Sequence, residues 1–550
     1  MNTAIKIIMA ALLLTPCLPT RCRGADEQIE SKSVPATPDT KGLIPEADVK
    51  RLKEFGVGSL IAACGLADGK SQVKHKQRPN IIFLLTDDQR DNSLGGMGHP
   101  WVKTPNLDTL MKNSVRFSNA YIAEPSCCPS RVSFFTGMHE RVHGVGFTSS
   151  YKLNEEQWSK SYPALLKESG YYTGFIGKFG VEYYTFMGQA EKKFDFYRGH
   201  DGWAKFFPKS AANCKEYWDS AEDIITPVMG ESIERFLKTA PKDKPFNLSV
   251  SFSIPHGSQI ISMHKIKDHP VYGDLYRDVD IAIPEDTATD PHRYIPKKAM
   301  DQNKGRKQLY DYDYTTKRCR EHHIRYYQLI TGLDIVVGEM VASLKEKGLA
   351  DNTVIIFASD HGLLMGEYGM GGKTLLYDLA CKFPCFVYDP GLPKNTRGKT
   401  IDKLVSSLDI TSTIVDYAGV EQPVEMKGNS LQPLLNGKSD GWRDEVFLEN
   451  LYTDRDTPIA EGLRKGKWKY IRMYDNVSPY SEKHLDFRNR KPLFEQLFDL
   501  SKDSEEKVNL ISKMEESTLL ASLRKRCGEL SEELNIQRET YRQSHEITSR

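Results

Sequence analysis

The sequence predicts an α/β protein: a large mixed, mainly parallel sheet flanked by helices, with a smaller C-terminal α+β subdomain. Three observations carry this reading. Ile81–Leu85 and Val354–Phe357 are continuous apolar runs of the kind buried on both faces of a parallel sheet. Helical patterns alternate with such strands, the longest over His322–Lys347, where Ile324, Tyr327, Ile330, Val337, Met340 and Leu344 share one face. After about residue 440 the pattern changes to short strands, Glu445–Leu448 and Trp468–Ile471, closed by a helix over Glu515–Leu534.

Taken in order, residues 1–24 read as a secretory signal peptide. Lys6 precedes the apolar run Ile7–Leu14, then Pro16, Pro19 and the small residues Gly24 and Ala25. That run is too short to span a bilayer, and no later stretch offers about 18 uninterrupted apolar residues. The expectation is a secreted or periplasmic protein with no stable membrane insertion. Residues 25–77 read as a polar leader, 78–440 as the main domain and 441–550 as the C-terminal subdomain. In the main domain, Thr104-Pro105 is a helix start with a capping hydroxyl, and Leu107, Leu110, Met111 and Val115 come next at helical spacing. Pro163–Ser169 is a short helix ended by Gly170, with strands at Tyr171–Ile176 and Phe246–Phe252. Residues 257–320 are charged and proline-dotted, and read as an excursion rather than a core element.

A formal net charge of +1 over 550 residues gives no bulk signal for nucleic acid or an anionic membrane. Ten cysteines, two of them in the signal, are too sparse for a disulfide scaffold, and their pairing stays open.

The polar residues that stand out come just after predicted strands. Asp87 and Asp88 follow Ile81–Thr86, Lys178 follows Tyr171–Gly177, His256 follows Phe246–Pro255, and Asp360-His361 follows Val354–Ser359. Ligands of open α/β sheets bind outside strand C-termini, so these four ends point to one site. Most have a plainer reading taken singly: a turn cap for the paired aspartates, a solvated or structural side chain for Lys178 and His256, a buried thiol or disulfide partner for Cys127.

The segment Cys127-Cys128-Pro129-Ser130-Arg131, ending in Thr136-Gly137, changes that weighting. It resembles the signature of the sulfatases, the formylglycine-dependent type within the alkaline-phosphatase-like superfamily. Pro79-Asn80 through Arg90, Thr104–Asp108, Gly177-Lys178, Pro255-His256, Ser359–Gly362, Gly366-Glu367, Gly372-Lys373 and Glu495–Leu510 extend the resemblance over most of the chain. It implies hydrolysis of sulfate esters, with sulfated carbohydrate, a polysaccharide or glycosaminoglycan, as substrate. It implies that Cys127 is converted to formylglycine by a maturation enzyme and that the hydrate supplies the nucleophile. Arg131 would hold that residue. Asp87, Asp88, Asp360 and His361, with an oxygen of modified Cys127, would bind one divalent cation. Hard oxygen donors with one imidazole favour Ca2+, with Mg2+ next. Lys178 and Lys373 would contact sulfate, His256 would serve the leaving group, and His143 is a candidate for the hydrate's proton chemistry. Pro129 suits a first helical turn, which would put Cys127 at a helix N-terminus.

One position departs from the family pattern, which commonly reads Gly-Lys-x-His where this chain has Gly177-Lys178-Phe179-Gly180. His200 is the candidate to reach that space. The alternatives are a phosphonate monoester or phosphodiester hydrolase of the same superfamily, a non-catalytic carbohydrate-binding relative, and an ordinary cysteine hydrolase. Tyr183, Tyr184, Trp203, Phe206 and Phe207 are candidates either to stack on a sugar or to pack internally. Asn247 and Asn476 begin glycosylation acceptor triplets, the first inside a predicted strand.

Overall fold

The computed structural model describes residues 78–146, 153–181, 190–202, 204–265, 275–300, 315–451, 458–474 and 490–544. The predicted signal and leader, and Tyr183, Tyr184, Trp203 and Asn476, lie outside the described residues.

Ten strands of the main domain come first: β1 (Asn80–Thr86), β2 (Val115–Tyr121), β3 (Tyr172–Lys178), β4 (Phe196–His200), β5 (Phe246–Ser251), β6 (Thr353–Ser359), β7 (Leu364–Met365), β8 (Gly371–Gly372), β9 (Cys385–Tyr388) and β10 (Thr400–Ser406). Eight of them form one sheet in the order β10-β2-β9-β6-β1-β5-β3-β4, while β7 and β8 make a separate two-stranded hairpin. β1 runs parallel to both neighbours, pairing Ile81 with Asn247 of β5 and with Val354 of β6. Only β9 runs antiparallel to its neighbours β2 and β6. The sheet is therefore mixed and mainly parallel, as the uninterrupted apolar runs predicted.

The buried β1 serves two cores. Ile81, Phe83 and Leu85 pack with Val132, Phe134 and Phe135 of helix α2 (Cys127–Thr136) and with Ile410 and Ile414 of α7 (Ser407–Tyr417). Ile82 and Leu84 pack against helices on the other face. These are α1 (Pro105–Lys112), α4 (Ile225–Thr239) and the 31-residue α6 (Thr316–Glu346). Helix α3 (Glu140–His143) comes closely after α2.

Three details correct the sequence reading. Thr104 does not cap α1. Its hydroxyl donates to Asp108 Oδ1 at 2.8 Å, and Asp334 of α6 caps instead, accepting from the Leu107 amide at 2.7 Å and the Asn106 amide at 3.3 Å. Residues 257–320 are not wholly peripheral: they hold α5 (Gly257–Lys265), and Ile260, Met263, Leu275 and Tyr276 are buried. Helix α6 starts at Thr316, where the Thr315 hydroxyl accepts from the Arg318 amide, and ends before Gly348 at φ +69°.

The C-terminal sheet is antiparallel, β11 (Glu445–Asn450), β12 (Ala460–Lys465), β13 (Trp468–Met473) and β14 (Phe494–Asp499) in sequence order. The last helix, α8 (Thr518–Ser544), packs on it through Leu520, Leu523, Cys527 and Leu534. Among the described residues every cysteine is a buried free thiol.

Candidate active site

Neighbouring strands place the predicted residues together. β6, β1, β5 and β3 are adjacent, so their C-terminal ends, and the turns that leave them, share one sheet edge. The Asp87 amide donates to Ile254 O at 3.1 Å and the Asp360 amide to Thr86 O at 3.0 Å, locking these strand exits together. Asp88 sits at φ +67°, a left-handed turn that aspartate tolerates better than most residues. Tyr326 supports it from α6, its hydroxyl donating to Asp88 O at 2.8 Å and accepting from the Arg90 amide at 2.9 Å. The sequence singled out Tyr327 and not Tyr326, because an apolar helical face gives no sign of a hydroxyl aimed at a distant turn.

Cys127 is the first residue of α2, after Ser126 in extended conformation. The helix axis and its unpaired amides therefore face the sheet edge at the sulfur. Cys127 Sγ lies 2.7 Å from Lys373 Nζ, 3.3 Å from His361 Nε2 and 3.5 Å from Asp87 Oδ1. Lys373 arrives on the β7–β8 hairpin, which is tied to the residues before Cys127 by the Thr374 amide bonding Pro125 O at 3.0 Å. One turn down α2, Arg131 is fully buried. Its Nη2 lies 2.9 Å from Asp360 Oδ2 and 3.3 Å from Asp87 Oδ2, while Nη1 donates to Lys178 O at 3.0 Å and to Ser251 Oγ. Lys178 Nζ is 2.5 Å from Asp87 Oδ2, and Lys373 Nζ is 2.7 Å from Asp88 Oδ1.

Ligand atoms of Asp87, Asp88, Cys127 and His256 lie within 4.8 Å of one another, as do those of Asp87, Cys127, Asp360 and His361. Asp88 Oδ2 accepts no hydrogen bond from the described residues; its nearest ionic partner is His256 Nε2 at 3.8 Å. The backbone amide of Ser258 donates to His256 Nδ1 at 3.0 Å, which leaves the proton of the neutral ring on Nε2, facing the cluster.

Electrostatics sort these groups. Burial pushes Asp87 up, but Lys178, His256, Arg131 and Lys373 outweigh it and hold the carboxyl well below the usual range. Asp88 is likewise lowered against its burial by Lys373 and His256. Asp360 is raised by burial and by Asp87. Burial also pushes His256 down to about 4 and the Cys127 thiol up to about 12. An unmodified Cys127 is thus a poor thiolate nucleophile, which counts against an ordinary cysteine hydrolase.

His143 stands apart from the cluster. Its Nε2 is 3.1 Å from Ser133 Oγ and its Nδ1 accepts from the Val145 amide at 3.0 Å, deeper along α2 than Cys127. Gly180 has a structural reason: it adopts φ +73°, and a Cβ there would meet Arg131 Cδ at 2.7 Å. His200 ends β4, paired in register with Lys178. It is buried, and neither ring nitrogen has a hydrogen-bond partner among the described residues. Of the aromatic candidates, Phe206 is buried in the core and packs on Phe207.

Comparison with known proteins supplies an independent line. The family described as Sulfatase matches residues 79–420, and N-sulphoglucosamine sulphohydrolase, C-terminal, matches residues 366–533. An arylsulfatase of Clostridium perfringens is 29% identical over 484 residues, covering 82% of this chain and 93% of that protein. An N-acetylglucosamine-6-O-sulfatase of Bacteroides thetaiotaomicron is 23% identical over 521 residues, covering 83% and 87%. A solved structure in complex with its substrate D-glucosamine-2-N,6-O-disulfate is similar at TM-score 0.66 and 22% identity, covering 84% of this chain and 99% of that one. The phosphonate monoester hydrolase of Agrobacterium radiobacter is similar at TM-score 0.62 and 21% identity, covering 84% and 96%. These two structures speak for the fold alone.

Proposed function

The chain belongs to the sulfatase family, and from that premise we propose that it removes sulfate from a sulfated carbohydrate outside the cytoplasm, at the strand-end cluster around Cys127. The observation that carries the reading is the position of Cys127 at the first turn of α2, with Lys373, His361 and Asp87 within 3.5 Å of its sulfur.

The residues fit the two groups that such chemistry needs. Asp87, Asp88, Asp360 and His361, with an oxygen on modified residue 127, would hold one divalent cation, and Asp88 Oδ2, which accepts no hydrogen bond from the described residues, is a donor atom open to it. Three carboxylates to one imidazole is a hard set that suits Ca2+. The cation supplies positive charge against the sulfate and favours an ionised nucleophile. Formylglycine, made from Cys127 by a maturation enzyme, supplies the attacking hydroxyl as its hydrate.

The chain's own side chains do the rest. Lys178 and Lys373 bind carboxylates now; with those engaged by a cation, their ammonium groups are placed to take sulfate oxygens and the charge that develops on them. The first amides of α2 favour an anion at the same point. His256 keeps Nε2–H toward the cluster, a hydrogen-bond donor for the ester oxygen that departs. Arg131 positions Asp87, Asp360 and the Lys178 strand end together. His200, beside Lys178 and with no hydrogen-bond partner on either ring nitrogen among the described residues, is the imidazole available where Gly180 leaves none. The name of a relative, an N-acetylglucosamine-6-O-sulfatase, supports a sulfated saccharide.

A panel of defined sulfated saccharides, with aryl sulfate and aryl phosphodiester as comparators, tests the proposal. Sulfate release from at least one saccharide, faster than phosphodiester cleavage, is the expected result. Phosphodiester turnover with no desulfation would replace the proposal with the phosphonate and phosphodiester alternative.

A further inference from the structure

A second group of ligand-bearing side chains lies behind α2, on the seam between the two sheets. Glu124 sits in the turn between β2 and α2, His139 immediately precedes α3, and Glu449 is on β11, where its amide donates to Ala123 O at 2.9 Å. One ligand atom from each of Glu124, His139 and Glu449 lies within 4.8 Å of the others, with His139 Nδ1 3.9 Å from Glu449 Oε1.

Charge is out of balance here. Glu124, Glu449 and Glu461 are all buried, and the arginines paired with the last two are Arg141 and Arg472. Arg141 serves Glu449 and Glu461, and Arg472 serves Glu461. Glu124 has no Lys or Arg partner among the described residues; Ser133 donates to its Oε1, and Oε2 is buried without a hydrogen bond. His139 Nδ1 is likewise buried and unbonded. Burial, Glu140 and Glu449 raise the Glu124 carboxyl well above its usual range, so it is either protonated or neutralised by something positive. A cation at Glu124 would compensate the one of these three carboxylates that has no Lys or Arg partner among the described residues, and buried ionised carboxylates without such compensation are costly.

We propose that Glu124, His139 and Glu449 form a second divalent-cation site, of the zinc class, that ties the turn leading into α2 to the C-terminal sheet. Imidazole nitrogen with two carboxylates matches Zn2+ better than Ca2+, which distinguishes this site from the three-carboxylate cluster at the strand ends. Glu449 Oε1 accepts the Arg141 amide at 3.0 Å and retains a second lone pair for a metal. His139 also lines a cavity of about 280 Å3 between the main domain and α8, bordered by Arg443, Glu445 and Glu533, which gives an ion a route in from solvent.

The test uses the full-length protein stripped with chelator, dialysed against Zn2+ with Ca2+ present, and analysed for metal per chain. Expected is one tightly held zinc in the wild type and in Asp360→Asn, which disables only the strand-end cluster. His139→Gln and Glu124→Gln should weaken zinc binding by more than about tenfold, the low end for losing even a residue that only supports a ligand, and abolish a zinc-dependent rise in melting temperature. His139 is only half-buried, so His139→Gln keeps the test open if Glu124→Gln does not fold. No bound zinc in the wild type, or zinc retained by both variants, would overturn the proposal and leave Glu124 as a protonated core acid. Zinc lost from Asp360→Asn alone would also overturn it while leaving the strand-end reading intact.

Discussion

At the C-terminal ends of β1 and β6, the carboxylates of Asp87, Asp88 and Asp360 meet Arg131, Lys178 and Lys373. At the junction of the two sheets, Lys469 lies between Asp378, at 2.7 Å, and Glu506, at 2.8 Å. Both clusters are buried and both mix acids with cations, yet they are finished differently. At the junction each carboxylate meets protein on both oxygens: Asp378 Oδ2 accepts from Tyr121 at 2.9 Å, and Glu506 Oε2 accepts from the Asp378 amide at 2.5 Å. At the strand ends Asp88 Oδ2 accepts nothing from the described residues, and a thiol and two lysines crowd the same point. Composition does not separate a structural ion cluster from a reactive one. Close pairing of every carboxylate oxygen does. Glu506 Oε1 lacks a hydrogen bond but has Lys469 Nζ at 2.8 Å, whereas the nearest ionic partner of Asp88 Oδ2 is His256 Nε2 at 3.8 Å. A buried carboxylate oxygen left that open carries a cost that a bound cation would relieve.

The sharpest way to break this contrast is at Cys127. Cys127→Ala should lower kcat by at least about 10^4-fold with melting temperature nearly unchanged, measured on one saccharide or aryl sulfate. At the junction the opposite pattern is expected. Lys469→Met leaves Asp378 and Glu506 facing each other and should cost about 3–5 kcal/mol of stability, read by chemical denaturation, with turnover per folded molecule preserved. Lys373→Ala, at the strand ends, should reduce kcat about 10^2- to 10^3-fold while leaving the melting temperature of the calcium-loaded protein close to wild type. Large destabilisation from Lys373→Ala, or a large activity loss from Lys469→Met in folded protein, would erase the distinction.

Asp334 offers the smallest and finest test. It is a buried acid whose hydrogen bonds among the described residues all come from N–H donors, and burial pushes it up to about 7 against the bonds from Leu107 and Asn106. An unfolded aspartate titrates near 3.9, so between these values the native state holds the extra proton. That contribution to stability is complete below about pH 4 and is lost as pH rises through about 7. Asp334→Asn should flatten the fall, by at most about 1.4 kcal/mol per pH unit, in denaturation curves compared between pH 5 and 6.

Much of the strand-end cluster was legible because it depends on local order. A buried parallel strand is apolar along most of its length, so the first charged residues after Thr86 and Ser359 mark the sheet edge where ligands bind. Pro129 fixed the start of α2 in the same local way. What escaped depends on chain segments far apart. Asp334 caps a helix more than 200 residues away, taking the role expected of Thr104, whose hydroxyl prefers Asp108. Gly180 looked like a missing side chain, but the space it would fill belongs to Arg131, which reaches across from α2. Residues 257–320 were read as peripheral because charges and prolines obscure buried apolar anchors such as Ile260, Met263, Leu275 and Tyr276, which share a core with α6.

Peptide mass analysis tests whether residue 127 works as formylglycine. Protein produced with and without a formylglycine-generating enzyme would be digested, and the Cys127 peptide weighed beside the specific activity of each preparation. Conversion exchanges one sulfur and two hydrogens for one oxygen, and activity should rise in proportion to the converted fraction, reaching zero with none. Full desulfation by protein whose residue 127 is entirely cysteine would contradict the account.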